Sequence, residues 1–339
     1  MSEQSHFYGG QAIIEGVMMR GKKVWAAAVR RSDGTIVTTR QPIEDYGEKY
    51  PWTRWPLIRG NLALIESLSL GFRSLIFSFN VLAEEEAEKA PEGTEVKKQQ
   101  TSGWVVYLSM IPAMLIGLGL FVLLPSYVPD WLGIDESSAL TKNLLEALVR
   151  VIAIVGYIAV ISLMPDIRRV FQYHGAEHAT INCFEAGRAV EPKQCIEFSE
   201  RHPRCGTSFL LLFIIIKLLL NAPLGWPVIW LRTLLRLAMI IPAAAVAYEI
   251  LKIGGKHRNS WFGRLLSAPG KVLQGLTTRR PDERQLEVAV HALALVAPEV
   301  DLPPGLTPPV EAGMDGKIIV DSVEPAPDEV QQTHAEETV

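Results

Sequence analysis

The stretch WVVYLSMIPAMLIGLGLFVLLP, residues 104–125, runs for 22 residues without a charge. At about 1.5 Å per helical residue it covers the roughly 30 Å of hydrocarbon in a bilayer. Three more segments read the same way: ALVRVIAIVGYIAVISLMP (147–165), TSFLLLFIIIKLLLNAP (207–223) and WPVIWLRTLLRLAMIIPAAAVAYEIL (226–251). Arg150, Lys217, Arg232, Arg236 and Glu249 fall within or at the ends of these runs. Charges are costly in hydrocarbon, so these are expected to face the bundle, a partner or the interface. The predicted fold is mostly α, a polytopic membrane helix bundle of about four spans.

Composition agrees with that class. The 339 residues are 48% hydrophobic and 21% charged, and the mean hydropathy is +0.18. The net charge of −4 and the absence of a Lys/Arg block argue against nucleic acid as a partner. Three cysteines without a C-x-x-C point to reduced thiols rather than a disulfide framework. No basic region followed by an apolar run opens the chain, so a cleaved signal peptide is not expected. Basic residues are scarce between the first two spans (only Lys142 in 126–146) and plentiful between the second and third and after the fourth. The positive-inside rule then predicts a multi-pass protein of the inner (plasma) membrane with both termini cytoplasmic.

The run 56–82 differs, because Arg59, Glu66 and Arg73 recur every seven residues and line one helical face. It is expected to be an amphipathic helix lying on the membrane or packed against the bundle; a fifth span is the alternative, and it would need a buried partner for Glu66. Residues 1–55 read as a small cytoplasmic β-rich segment. QAIIEGVMM, VWAAAVRR and TIVTTRQ form a β-meander there, separated by RGKK and SDG turns. Residues 56–103 are assigned to the amphipathic helix and a charged linker, and 104–251 to the bundle with a cytoplasmic loop at 165–206. Residues 252–300 form a cytoplasmic helical segment, in which Leu286, Val290 and Leu293 share one face. The tail, 301–339, is acidic, Pro-rich and expected to be disordered.

The chemistry concentrates in DIRRVFQYHGAEHATINCFEAG (166–187), read as one helix capped by Asp166 and ended at Gly187. His174 and His178, four apart, project from one face and can grip one ion. Glu177 beside them is placed to act as general base on a metal-activated water, in the inverted H-x-x-E-H arrangement of zinc proteases. ERHPRCGTSFL (200–210) adds His202 and Cys205 in the same loop. Four ligands would make a closed structural zinc site; three would leave a position open for catalysis. Glu200 is a further candidate ligand. On a strand, Gln11 and Glu15 would share a face, and Glu15 could then reach the cluster as base or ligand.

The segments GGQAIIEGVMMRG (9–21), YHGAEHATINCFEAG (173–187), HPRCGTSFL (202–210) and PGKVLQGLTTRRPDERQLEVA (269–289) resemble the YqhQ-like family of bacterial membrane proteins. The likeness spans about residues 7–297. Ala179 stands where the family usually has lysine, which removes a cation near the site. The resemblance implies a multi-span membrane protein with a His/Glu/Cys cluster, from a family of unknown function described as a predicted metal-dependent enzyme, and supplies no reaction. Three readings follow. The first is a hydrolase using zinc or another divalent transition metal, with Glu177 and Glu15 as catalytic candidates and His174, His178, His202 and Cys205 as metal candidates. Its substrate would be a peptide or lipid-derived bond, with the bilayer as partner and homo-oligomerisation open. The second is a non-enzymatic scaffold with a structural metal. The third, ranked last, is a transporter lined by the intramembrane charges.

Overall fold

The computed structural model describes residues 8–44, 49–89, 103–134, 139–256 and 260–319. Four antiparallel strands, β1 (Gly9–Ile13), β2 (Gly16–Arg20), β3 (Val24–Arg30) and β4 (Ile36–Pro42), form the expected meander. The run QAIIEGVMM is two strands, not one. Ile14 and Glu15 turn between β1 and β2, and Glu15 takes φ 53°. Glu15 therefore does not share a strand face with Gln11.

A fifth strand, β5 (Pro309–Glu311), pairs in parallel with β4. It lies in the segment expected to be disordered. The pairing runs through backbone groups, which every residue carries, so a polar, Pro-rich sequence does not prevent it. Residues 320–339 of that tail, and 90–102 of the charged linker, lie outside the described residues.

Both faces of the sheet are covered, which explains why VWAAAV shows no alternation. On one face Val17, Met19, Ala26 and Ala28 pack against α5 (Pro165–Glu185) and α11 (Glu283–Ala294). On the other, Met18, Trp25, Ala27 and Val29 pack against Leu70, Phe77 and Val81 of α1 (Ile58–Lys89). Leu286, Val290 and Leu293 of α11 are fully buried, as their spacing predicted. Asp282 caps that helix in a reciprocal box with Gln285.

Among the described residues five helices, not four, are long and apolar enough to cross a membrane: Ile58–Lys89, Ile111–Trp131, Ala139–Ile161, Gly206–Leu224 and Ile229–Gly254. The first covers nearly all of the run 56–82 and is apolar enough for the alternative reading of it as a span; what it overturns is the start of the charged linker, because the helix continues past residue 82. Its charges are met by partners far away in sequence: Arg20 lies 2.8 Å from Glu66, and Glu249 lies 2.5 Å from Arg59. The helix also runs on to Lys89, where Glu85 accepts from the backbone N–H of Ser32 at 2.9 Å. The second candidate joins α2 (Gly103–Leu118), a π-helical turn (Gly119–Leu123) and α3 (Leu124–Trp131). The others are α4 (Ala139–Ile161), α7 (Gly206–Asn221), and the pair α8 (Ile229–Ala238) and α9 (Ile240–Lys256). A short α6 (Pro192–Cys195) and α10 (Trp261–Thr277) complete the helices used below.

His291 of α11 is buried in this body at 2% exposure, and burial pushes its pKa down, against the nearby Glu287. The unfolded chain takes up that proton near pH ~6.5, whereas the folded chain does so only at lower pH. Stability is therefore fully present above that value and falls as pH drops through it, by up to about 1.4 kcal/mol per pH unit for one proton. Thermal melts between about pH 7 and about pH 5.5 should show a shallower decline in His291→Gln than in wild type. Parallel curves would place the acid sensitivity elsewhere.

Candidate metal centre

The helix α5 begins at Pro165, whose fixed φ suits a first helical position. Asp166 therefore lies inside the first turn rather than capping it; Met164 occupies the cap without a side-chain bond. The far end stops as expected, with Gly187 at φ 66°. Between them His174 and His178 stand one turn apart with ring centroids 4.4 Å from each other.

Each imidazole is held from behind. His174 Nδ1 lies 2.9 Å from the carbonyl oxygen of Thr277, at the end of α10, and His178 Nδ1 lies 2.8 Å from that of Glu200. A carbonyl can only accept, so each Nδ1 carries the proton and each Nε2 presents a lone pair. This is the outer-shell arrangement that orients metal-binding histidines. Both Nε2 atoms and the Cys205 Sγ lie within 4.8 Å of one another, and Cys205 Sγ is 3.3 Å from His174 Nε2. Cys205 is the N-cap of α7, so the positive end of that helix faces its sulfur, and Thr207 Oγ1 donates to it at 3.3 Å.

Glu177 lies on the donor side of the pair, with its carboxylate 4.0 Å from both Nε2 atoms. Burial pushes its pKa up, against the pull of His174, His202 and a hydrogen bond from the backbone N–H of Gly10 on β1. Burial likewise pushes the His178 pKa down and favours the neutral imidazole that a metal requires.

The other candidates are placed differently. His202 is buried beside the cluster, with its ring centroid 5.8 Å from that of His178, but its Nε2 points to Glu185 at 3.7 Å. It is not among the three converging donor atoms. Glu200 contributes its backbone carbonyl, while its carboxylate lies 4.0 Å from Arg201. Glu15 pairs with Arg169 and lies 3.3 Å from the Tyr173 hydroxyl, in a cavity that none of the converging donors lines.

Residues with no obvious ligand chemistry build the frame. Gln274 of α10 clamps the His202 backbone from both sides at 2.9 Å. A Cβ on Gly175 would land on the carbonyl oxygen of Arg279, so this position must be glycine for the 278–281 segment to cross α5. Gly270 admits Ser208 in the same way. A cavity of about 1370 Å³ opens onto His174 and Cys205, lined by β1, α1 and the start of α7. Its wall mixes apolar Leu70 and Phe171 with the cations Lys22 and Arg204 and the Arg20–Glu66 ion pair.

The chain belongs to the family described as "Protein of unknown function (DUF1385)", whose model matches residues 55–299. It is 34% identical over 289 residues to "Uncharacterized protein YqhQ" of Bacillus subtilis (strain 168), covering 84% of this chain and 90% of that protein. No solved structure matches.

Proposed function

We propose that this chain is a metal-dependent membrane hydrolase working at the cytoplasmic face. The observation that carries the reading is the pair of Nδ1-anchored imidazoles facing Cys205, with the buried Glu177 carboxylate 4.0 Å from each. Two nitrogens and one sulfur suit zinc among the divalent transition metals. Three donors leave a coordination position open, and the turn of His202 toward Glu185 favours this over a closed structural site. A metal held there would polarise a water and the carbonyl under attack. Glu177 would take the proton of that water and return it to the leaving group. The Gly10 N–H holds its carboxylate in place. The cavity's apolar and cationic walls suit a peptide or lipid-derived substrate reaching the site from the membrane boundary.

The sidedness follows from the loop charges, which favour the cytoplasm for the cluster. The sharing of one sheet by β1–β4 and β5 supports both ends of the chain on that face. Both ends on one face require an even number of crossings. Among the five apolar helices, α1 is the one bonded along the sheet, so it would run beside the membrane core rather than through it.

Metal content of the detergent-purified protein tests the reading. Mass spectrometry should find about one transition metal per chain in wild type, and background in His174→Ala/His178→Ala. Equal content in both proteins would remove the centre.

A further inference from the structure

The end of the bundle away from the metal centre holds a second polar cluster. Lys217 lies 12 residues along α7 from Cys205, about 18 Å at the helical rise. Arg150 of α4 and Arg236 of α8 lie near it, Lys142 of α4 and Arg232 of α8 extend the cluster toward Asp130, and all four are buried. Among the described residues two carboxylates answer these five cations. Glu146 lies 2.6 Å from Arg150 and 3.0 Å from Arg236. Asp130, at the rim, lies 2.6 Å from Arg232 and 3.1 Å from Lys142. Three positive charges remain in excess among the described residues.

Lys217 is the clearest case. It is 3% exposed, lies within electrostatic reach of Arg150, Glu146 and Arg236, and makes no hydrogen bond or ion pair with any described residue. Arg232 Nε and Asn143 Nδ2, both buried donors, also lack acceptors. A buried lysine can shed its proton, but arginine cannot, and Arg150, Arg232 and Arg236 already outnumber Glu146 and Asp130, so the cluster calls for a counter-ion. We propose that a phosphate-bearing anion binds here. A phosphate carries up to two charges and several acceptor oxygens, and it matches guanidinium forks and a lysine point charge better than a single carboxylate does. The indole of Trp226 gives the depth. The Arg232 guanidinium stacks on it at 4.0 Å, and its N–H donates to Asp130 at 2.8 Å. Tryptophan with one wet and one apolar side marks the headgroup level of a leaflet, here the one opposite the metal centre. The phosphate therefore comes from a phospholipid headgroup of that leaflet or from free phosphate.

The test uses the full chain in detergent, stripped of lipid, with melting followed as phosphatidylglycerol, inorganic phosphate or phosphatidylcholine is added. A rise of several degrees at saturation is expected with phosphatidylglycerol if the source is lipid, and with inorganic phosphate as well if it is the free ion. Lys217→Met removes an unpaired buried charge, so the stripped variant should melt at or above wild type while its affinity for the added anion falls about tenfold or more. If that variant fails to fold, Lys217→Gln is read instead by phosphatidylglycerol retention in native mass spectrometry. No anion-dependent shift in wild type, a shift equal for phosphatidylcholine, or unchanged affinity in the variant would overturn the proposal.

Discussion

Glu177→Gln is expected to lower turnover by a factor of about 10²–10⁴, the usual worth of a positioned general base, while bound metal stays at the wild-type level. The substitution keeps the side chain's shape and an oxygen to accept from the Gly10 N–H, so the packing around His174 and His178 is preserved. What it removes is the ability to take a proton. The measurement pairs metal content with product release from fluorogenic membrane-peptide and ester substrates in proteoliposomes. Wild-type turnover in Glu177→Gln would end its assignment as base. Loss of metal together with activity would instead make it a structural anchor.

The second large effect is expected from Gly175→Ala. The added methyl would collide with a backbone atom, the carbonyl oxygen of Arg279, which cannot rotate away, and would crowd the Cβ of Glu200 at 3.3 Å. Overpacking of this kind costs about 1–3 kcal/mol even where side chains yield. Here the backbone must move instead, and the neighbouring residues are His174 and the Thr277 carbonyl that orients it. Metal affinity should therefore fall roughly 10–100-fold along with the melting temperature, as when an outer-shell contact is lost. Gly156→Ala in α4, where an added Cβ meets nothing within 4 Å, serves as control and should be neutral or slightly stabilising. Wild-type metal affinity and melting in Gly175→Ala would show that the close crossing does not position the centre.

The parts of this molecule legible in the sequence are those written in local spacing. His174, Glu177 and His178 share a helix face because of their separation, and the order of long apolar runs is visible without a structure. Cys205 could be suspected because it follows His202 at the start of a span. The acceptors that orient the histidines were hidden, because Thr277 and Glu200 act through backbone carbonyls that any residue offers. One signal did exist for this region: PGKVLQGLTTRR places two glycines and a glutamine in one helix, an odd composition unless something must approach closely. Gly270, Gln274 and Thr277 meet Ser208, His202 and His174 respectively. Glu15 was misplaced because QAIIEGVMM reads as one strand, and only the hairpin turns its carboxylate to Arg169. The length of α1 was underestimated because AEEEAEK reads as a charged linker, while its Glu85 and Glu88 are met by Ser32 and Arg31, far away in sequence.

The joining of β5 to β4 has a consequence for how the protein is made. A ribosome delivers β1–β4 first, with an open edge on β4, and completes the sheet only after every apolar helix and α11 have emerged. The His174 orienting carbonyl also arrives late, from Thr277. Until then the nascent chain has the Glu200 carbonyl that aims His178 but not the Thr277 carbonyl that aims His174. The proposed metal could then be gripped only late in biogenesis, and a chain cut short after α9 would be left with an unfinished sheet edge and a His174 that nothing orients, an obvious target for quality-control proteolysis.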